Sequence, residues 1–86
     1  MYEVELSVNA QDFLDKLDKS IREQIENRLR RLKENQIPSD AKFIGRDNNE
    51  MLFRYRIGKY RALYKVKEKE KIVLITKIDK RPRVYD

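Results

Sequence analysis

Two runs that alternate apolar and charged side chains, residues 51–57 and 60–67, are separated only by Gly58 and Lys59. A two-residue link containing glycine closes a β-hairpin, because glycine takes the positive φ that such turns demand. A third run, residues 72–78, follows the polar link Glu68-Lys69-Glu70 and is the most apolar of the three. Links this short join antiparallel neighbours, so this half of the chain predicts a three-stranded meander. Side chains alternate along a strand, which puts Arg54 and Arg56 on one face of the first meander strand.

The N-terminal half reads differently. Tyr2-Glu3-Val4-Glu5-Leu6 alternates and predicts a first strand with one solvated face. Asn9, with Asp12 three residues on, resembles a helix N-cap followed by an acidic first turn, and Ala10, Phe13, Leu14 and Leu17 recur at helical spacing. Ser20 and Glu23 form a capping-box pattern, after which Ile21, Ile25, Leu29 and Leu32 make one apolar stripe that Pro38 stops. The two segments predict a helical hairpin whose seam covers a sheet. Arg28, Arg30, Arg31 and Lys33 read as its solvated face. Residues 36–50 read as a polar connection with an edge segment at Ala41-Lys42-Phe43-Ile44 and a turn at Asp47-Asn48-Asn49-Glu50. The expectation is one α+β domain over residues 1–86, a helical hairpin packed on a small, mainly antiparallel sheet in the order β-α-α-β-β-β.

Charge is distributed unevenly. The chain carries +6 overall, but residues 1–53 hold nine Lys/Arg against eleven Asp/Glu, and residues 54–86 hold twelve against four. The positive field belongs to the C-terminal half, where it attracts phosphate backbones and releases their counterions. The absence of cysteine fits a reducing cytoplasm. No apolar run reaches the ~18 residues of a membrane span. The first residues lack a basic n-region, so no signal peptide is expected.

Composition also excludes much chemistry. Without histidine or cysteine there is no Ser-His or Cys-His nucleophile pair and no zinc site of the usual kind. Two glycines, Gly45 and Gly58, leave no phosphate-cradling glycine-rich loop. Glu68, Glu70, Asp79 and Asp86 read as scattered turn residues, a poor cage for two metals. No cofactor and no metal are expected. Arginines, lysines and tyrosines remain. The end of a meander's third strand lies near the start of its second, so Arg81 can approach Arg61, with Arg54, Arg56 and Arg83 nearby. Four or five guanidiniums so placed repel one another unless an anion joins them. A phosphate is one remedy, and the planar fork of arginine suits it. Pairing of each arginine with an acid of the helices is the other.

The span Gly58-x-Tyr60-Arg61-x-x-Tyr64, an apolar strand, then Lys80-Arg81-x-x-x-Tyr85, resembles the signature of the RelE toxins, within the wider RelE/ParE superfamily. The resemblance covers nearly the whole chain. It implies a cytoplasmic toxin of a type II toxin–antitoxin system that cuts mRNA in the ribosomal A site without a metal. In that chemistry the 2′-oxygen attacks its own 3′-phosphate. The resemblance assigns Arg61 to the phosphate charge and Arg81 to the phosphate or leaving group. It assigns Tyr85 to stacking on the nucleotide and to proton transfer. Arg54, Arg56, Lys59 and Arg83 would line the substrate. Relatives carry lysines on the strand before the turn, where this chain has Arg54 and Arg56. Arginine is a poor base, which leaves Lys59 and Tyr85 as candidates. The implied partners are a RelB-like antitoxin, in a hetero-oligomer, and the ribosome with its mRNA. The alternative implied by the superfamily is a ParE-like toxin that acts on a type II topoisomerase and cuts nothing.

Overall fold

The computed structural model describes residues 1–81. Strand β1 (Glu3–Leu6) leads into helices α1 (Val8–Asp15) and α2 (Lys19–Arg30), and a 3-10 turn (Arg31–Lys33) extends α2. Strands β2 (Ala41–Asp47), β3 (Glu50–Ile57), β4 (Tyr60–Lys67) and β5 (Ile72–Lys80) follow. They form one sheet in the order β1-β5-β4-β3-β2, antiparallel except where β1 lies parallel to β5 at the edge. The expected α+β architecture is present. The edge segment proves to be a full strand, so the order is β-α-α-β-β-β-β. A bulge between Phe43 and Gly45 hides β2 from periodicity, because it breaks the two-residue alternation that marks a strand.

The helices start earlier than the sequence suggests. Ser7, not Asn9, caps α1: its hydroxyl accepts from the Ala10 amide at 3.1 Å and donates to the Thr76 carbonyl at 2.9 Å. The second bond ties the helix start to β5, which decides between two capping residues of similar intrinsic strength. For α2 the cap is Asp18, which places the expected capping-box pair, Ser20 and Glu23, inside the helix.

The apolar seam packs as expected. Ala10, Leu14, Ile25, Leu29 and Leu32 are buried against Phe53, Tyr55, Ile57, Ala62, Tyr64, Val66, Val73, Ile75 and Ile78. The rings of Phe53 and Tyr64 stack with centroids 5.3 Å apart. Each buried tyrosine hydroxyl has a partner. Tyr64 donates to the Gln36 carbonyl at 2.7 Å, and Tyr55 accepts from Arg28 Nε at 3.2 Å. Arg28 is therefore not a solvated helix residue. Its guanidinium also reaches Asp40 at 2.9 Å and lies over the Tyr55 ring. These contacts join α2, the connection after it and β3.

Three tight turns set the register. Asn48 and Asn49 both have positive φ, 52° and 66°, as a two-residue hairpin of the favoured twist requires. Gly58, at φ 60°, opens the turn that pairs Ile57 with Tyr60. Lys71, at φ 58°, closes the longer link into β5.

Candidate nucleic-acid interface

The helices cover one face of the sheet and leave the other open. On β3 the buried residues Phe53, Tyr55 and Ile57 alternate with Arg54 and Arg56, and on β4 Ala62, Tyr64 and Val66 alternate with Arg61, Leu63, Lys65 and Lys67. Core packing thus dictates which way the basic side chains point. Once the apolar set turns towards the helices, the arginines have only the open face.

Register then sorts the open face into two ends. At one end Lys65 meets Asp47 at 2.7 Å and Glu50 at 3.8 Å, and Lys67 meets Glu50 at 3.9 Å. The first contact dominates in holding the Lys65 ammonium above its ordinary pKa. That end is close to neutral. At the other end Arg56 lies opposite Arg61, and Arg61 lies opposite Asp79, so the three form one cross-strand row. Arg54 sits one row back, between Lys42 and Leu63. The Gly58 turn closes this corner. Arg81 bonds to it twice, from its amide to the Lys59 carbonyl at 2.7 Å and from its guanidinium to the Gly58 carbonyl at 3.2 Å.

Arg56, Lys59, Arg61 and Arg81 therefore gather at the Gly58 corner, with Arg54 adjacent. Arg83 and Tyr85 lie outside the described residues. The approach of Arg81 to the start of β4 agrees with the meander geometry. The acid pairing has a different source from the one expected. Arg61 is partnered by Asp79 of the neighbouring strand, not by a helix, with Nε–Oδ1 at 2.7 Å and Nη2–Oδ2 at 3.3 Å. The hydrogen bond and charge of Asp79 hold the Arg61 guanidinium above its ordinary pKa. Reading Asp79 as a scattered turn acid is thereby corrected: it lies within β5 and neutralises part of the corner, so repulsion among the arginines does not by itself require an outside anion.

This corner can bind phosphate. Its donors are fixed by strand register and a tight turn, and guanidiniums so placed serve ground-state phosphate and developing negative charge alike. Among the described residues no helix is long and apolar enough to cross a membrane.

The chain belongs to the ParE toxins of type II toxin–antitoxin systems: the family model described as "ParE toxin of type II toxin-antitoxin system, parDE" matches residues 4–85. Within the RelE/ParE superfamily its fold is that of RelE toxins. The archaeal RelE–RelB complex from Pyrococcus horikoshii OT3 contains a chain 26% identical to this one, with a TM-score of 0.86, covering 96% of this chain and 98% of that one. The toxin–antitoxin complex RelBE2 from Mycobacterium tuberculosis gives 26% identity and a TM-score of 0.77, covering 93% and 91%. The isolated Escherichia coli RelE toxin, at 23% identity and a TM-score of 0.77 over 98% and 88% of the two chains, shares the fold. No curated protein matches the chain in sequence.

Proposed function

We propose that this toxin is a ribosome-dependent endoribonuclease, cleaving mRNA in the A site by attack of a 2′-oxygen on the adjacent phosphate. The observation that carries the reading is the grouping of Arg56, Lys59, Arg61 and Arg81 at the Gly58 corner of an uncovered face. In-line attack breaks the bond from phosphorus to the 5′-oxygen. It leaves a 2′,3′-cyclic phosphate on one fragment and a 5′-hydroxyl on the other. The 2′ proton goes to a base, and the departing 5′-oxygen takes one from an acid. Arg61 and Arg81 stabilise the negative charge that peaks on the phosphorane. Arg54 and Arg56 remain protonated and hold neighbouring phosphates. Of the proposed set, Lys59 and Tyr85 are the side chains able to give up a proton. No metal enters this scheme, and its setting is the cytoplasm, where translation occurs.

A toxin of this kind is silenced by a partner. Several of the similar structures are toxin–antitoxin complexes, and the balance of twelve basic to four acidic residues after Phe53 suits an acidic antitoxin segment. Such a segment can fold as it binds, in a toxin–antitoxin hetero-oligomer.

Incubation with ribosomes programmed with a defined mRNA tests the reading. Cleavage that needs the ribosome and leaves 5′-hydroxyl ends is the expected result. The family match to ParE toxins supports a second reading, action on a type II topoisomerase. Intact mRNA together with inhibited DNA supercoiling would establish that reading instead.

A further inference from the structure

Among the described residues, Asp79 is the carboxylate paired with an arginine of this corner, and its placement is specific. Along the row Arg56–Arg61–Asp79, like charges face each other across β3 and β4, and opposite charges face each other across β4 and β5. Like charges directly opposite are unfavourable in a sheet. The row therefore pushes the Arg61 guanidinium away from Arg56 and draws it towards Asp79. The side chains of Arg61 and Asp79 are 32% and 26% exposed, and the contact is held by its geometry, two N–H donors on two carboxylate oxygens. Asp79 takes the Nε and Nη2 side of the guanidinium and no other. A guanidinium carries more donors than this contact uses, so the Nη1 edge stays available.

We propose that Asp79 is a positioning residue: it grips Arg61 by one edge and presents the opposite edge, already oriented, to the RNA phosphate. This rests on the reading of the chain as an RNA-cleaving toxin. Holding a long, flexible side chain in its working rotamer before substrate arrives removes an ordering cost from the reaction. The same carboxylate repels RNA. Position and charge at Asp79 thus act in opposite directions on turnover and on affinity, which makes the proposal testable.

The test compares Asp79→Ala, Asp79→Asn and Glu50→Gln with the unaltered toxin on programmed ribosomes, and measures kcat and KM separately. Asp79→Ala should lower kcat by about 10- to 100-fold, the scale of a misplaced catalytic group, while KM stays the same or falls. Asp79→Asn keeps an acceptor for Nε and should recover part of kcat. Glu50→Gln removes a carboxylate from the far end of the open face and should leave kcat unchanged. Unchanged or raised turnover in Asp79→Ala overturns the proposal and makes Asp79 a mere competitor for Arg61. If Asp79→Asn is as inactive as Asp79→Ala and the acid limb of the pH–rate profile is lost, Asp79 is instead the general base. Parallel losses in kcat, affinity and thermal stability assign it a purely structural role. The NMR signal of Arg61 Nε–H gives a readout independent of cleavage. It should exchange slowly in the unaltered toxin and quickly in Asp79→Ala. Absence of cleavage by the unaltered toxin, with that protection intact, refutes the nuclease reading and leaves the contact standing. An Arg61 signal that exchanges as fast as that of Arg54 refutes the positioning role itself.

Discussion

The two faces of this sheet are built from the same strands, one residue out of step, and they do opposite work. On the covered face Phe53, Tyr55 and Tyr64 are buried, ring against ring, with both hydroxyls satisfied. On the open face Arg54, Arg56 and Arg61 stand beside them in sequence and remain accessible. The buried core and the proposed site are thus separated by the pleat, not by distance along the chain. A substitution at one position should alter the fold, and at the next position the chemistry.

Sequence neighbours on opposite faces should behave most differently. Phe53→Ala removes a ring stacked on Tyr64 and edge-on to Phe43, and should lose about 3–5 kcal/mol of stability. For so small a domain, that is a large share of the total. Arg54→Ala should stay within about 0.5 kcal/mol, as surface changes do, while weakening RNA binding. Urea unfolding of the two variants decides the matter, since comparable losses would mean that the open face also carries the fold.

Within the open face the largest effect should fall on the Gly58 corner. Arg61→Ala and Arg81→Ala should each cost about 2.7–4 kcal/mol of transition-state stabilisation, the scale of one lost oxyanion donor, with unfolding midpoints shifted only slightly, as the loss of a solvent-accessible contact implies. Growth arrest on expression, together with circular dichroism of the purified variants, reads both quantities. Toxicity that survives Arg61→Ala would place the active surface elsewhere.

Much of this was legible in the sequence, and the exceptions have physical causes. The meander, the helical hairpin and the gathering of Arg61 with Arg81 follow from periodicity and turn length. The pairing of Arg61 with Asp79 does not. Counting back from the Lys67–Ile72 pair, a regular ladder would put Ile78 opposite Arg61. The bulge at Thr76 moves the register by one and brings Asp79 there. A bulge leaves no mark on composition, and the same kind of irregularity concealed β2 and left Phe43 and Ile44 exposed as adjacent apolar residues. Arg28 was obscured for another reason. A charged residue within a charged run reads as solvated, and only tertiary structure shows that its neighbour is Tyr55.

Arg28 therefore belongs with the covered face. Arg28→Ala strips the Tyr55 hydroxyl of its donor and breaks the tie to Asp40. It should cost about 1–3 kcal/mol, the penalty for leaving a largely buried polar group unpaired. Arg31→Ala, one residue further on, should be close to neutral. A denaturant series on both variants separates a structural arginine from a solvated one, and equal midpoints would return Arg28 to the solvated class.

The smallest effect is a slope in pH, and it also belongs to the covered face. Burial, followed by the charges of Tyr55 and Asp40, pushes the Tyr64 hydroxyl well above its ordinary pKa of 10.0. Below that value the hydroxyl is protonated in both folded and unfolded chains, so the contribution of the bond to Gln36 is fully present. Above it the unfolded chain releases the proton and the folded chain keeps it, so stability falls as pH rises, by at most about 1.4 kcal/mol per pH unit for one group. Lys65, raised by its bond to Asp47, acts in the same sense: its contribution is present below its ordinary value of 10.5 and is lost as pH climbs through the folded value. Lys65 lies on the open face, where solvent screens its ion pairs, so most of the slope should come from Tyr64. Tyr64→Phe gives up the bond to the Gln36 carbonyl and should start less stable at neutral pH. Its stability should nevertheless fall less steeply above about pH 10, because the unfolded chain no longer has that proton to lose. Lys65→Met should retain nearly the full slope. Equal slopes for Tyr64→Phe and the unaltered chain in alkaline urea titrations would show that the buried tyrosine is not the group being read, and that the two faces are less separate in their electrostatics than in their packing.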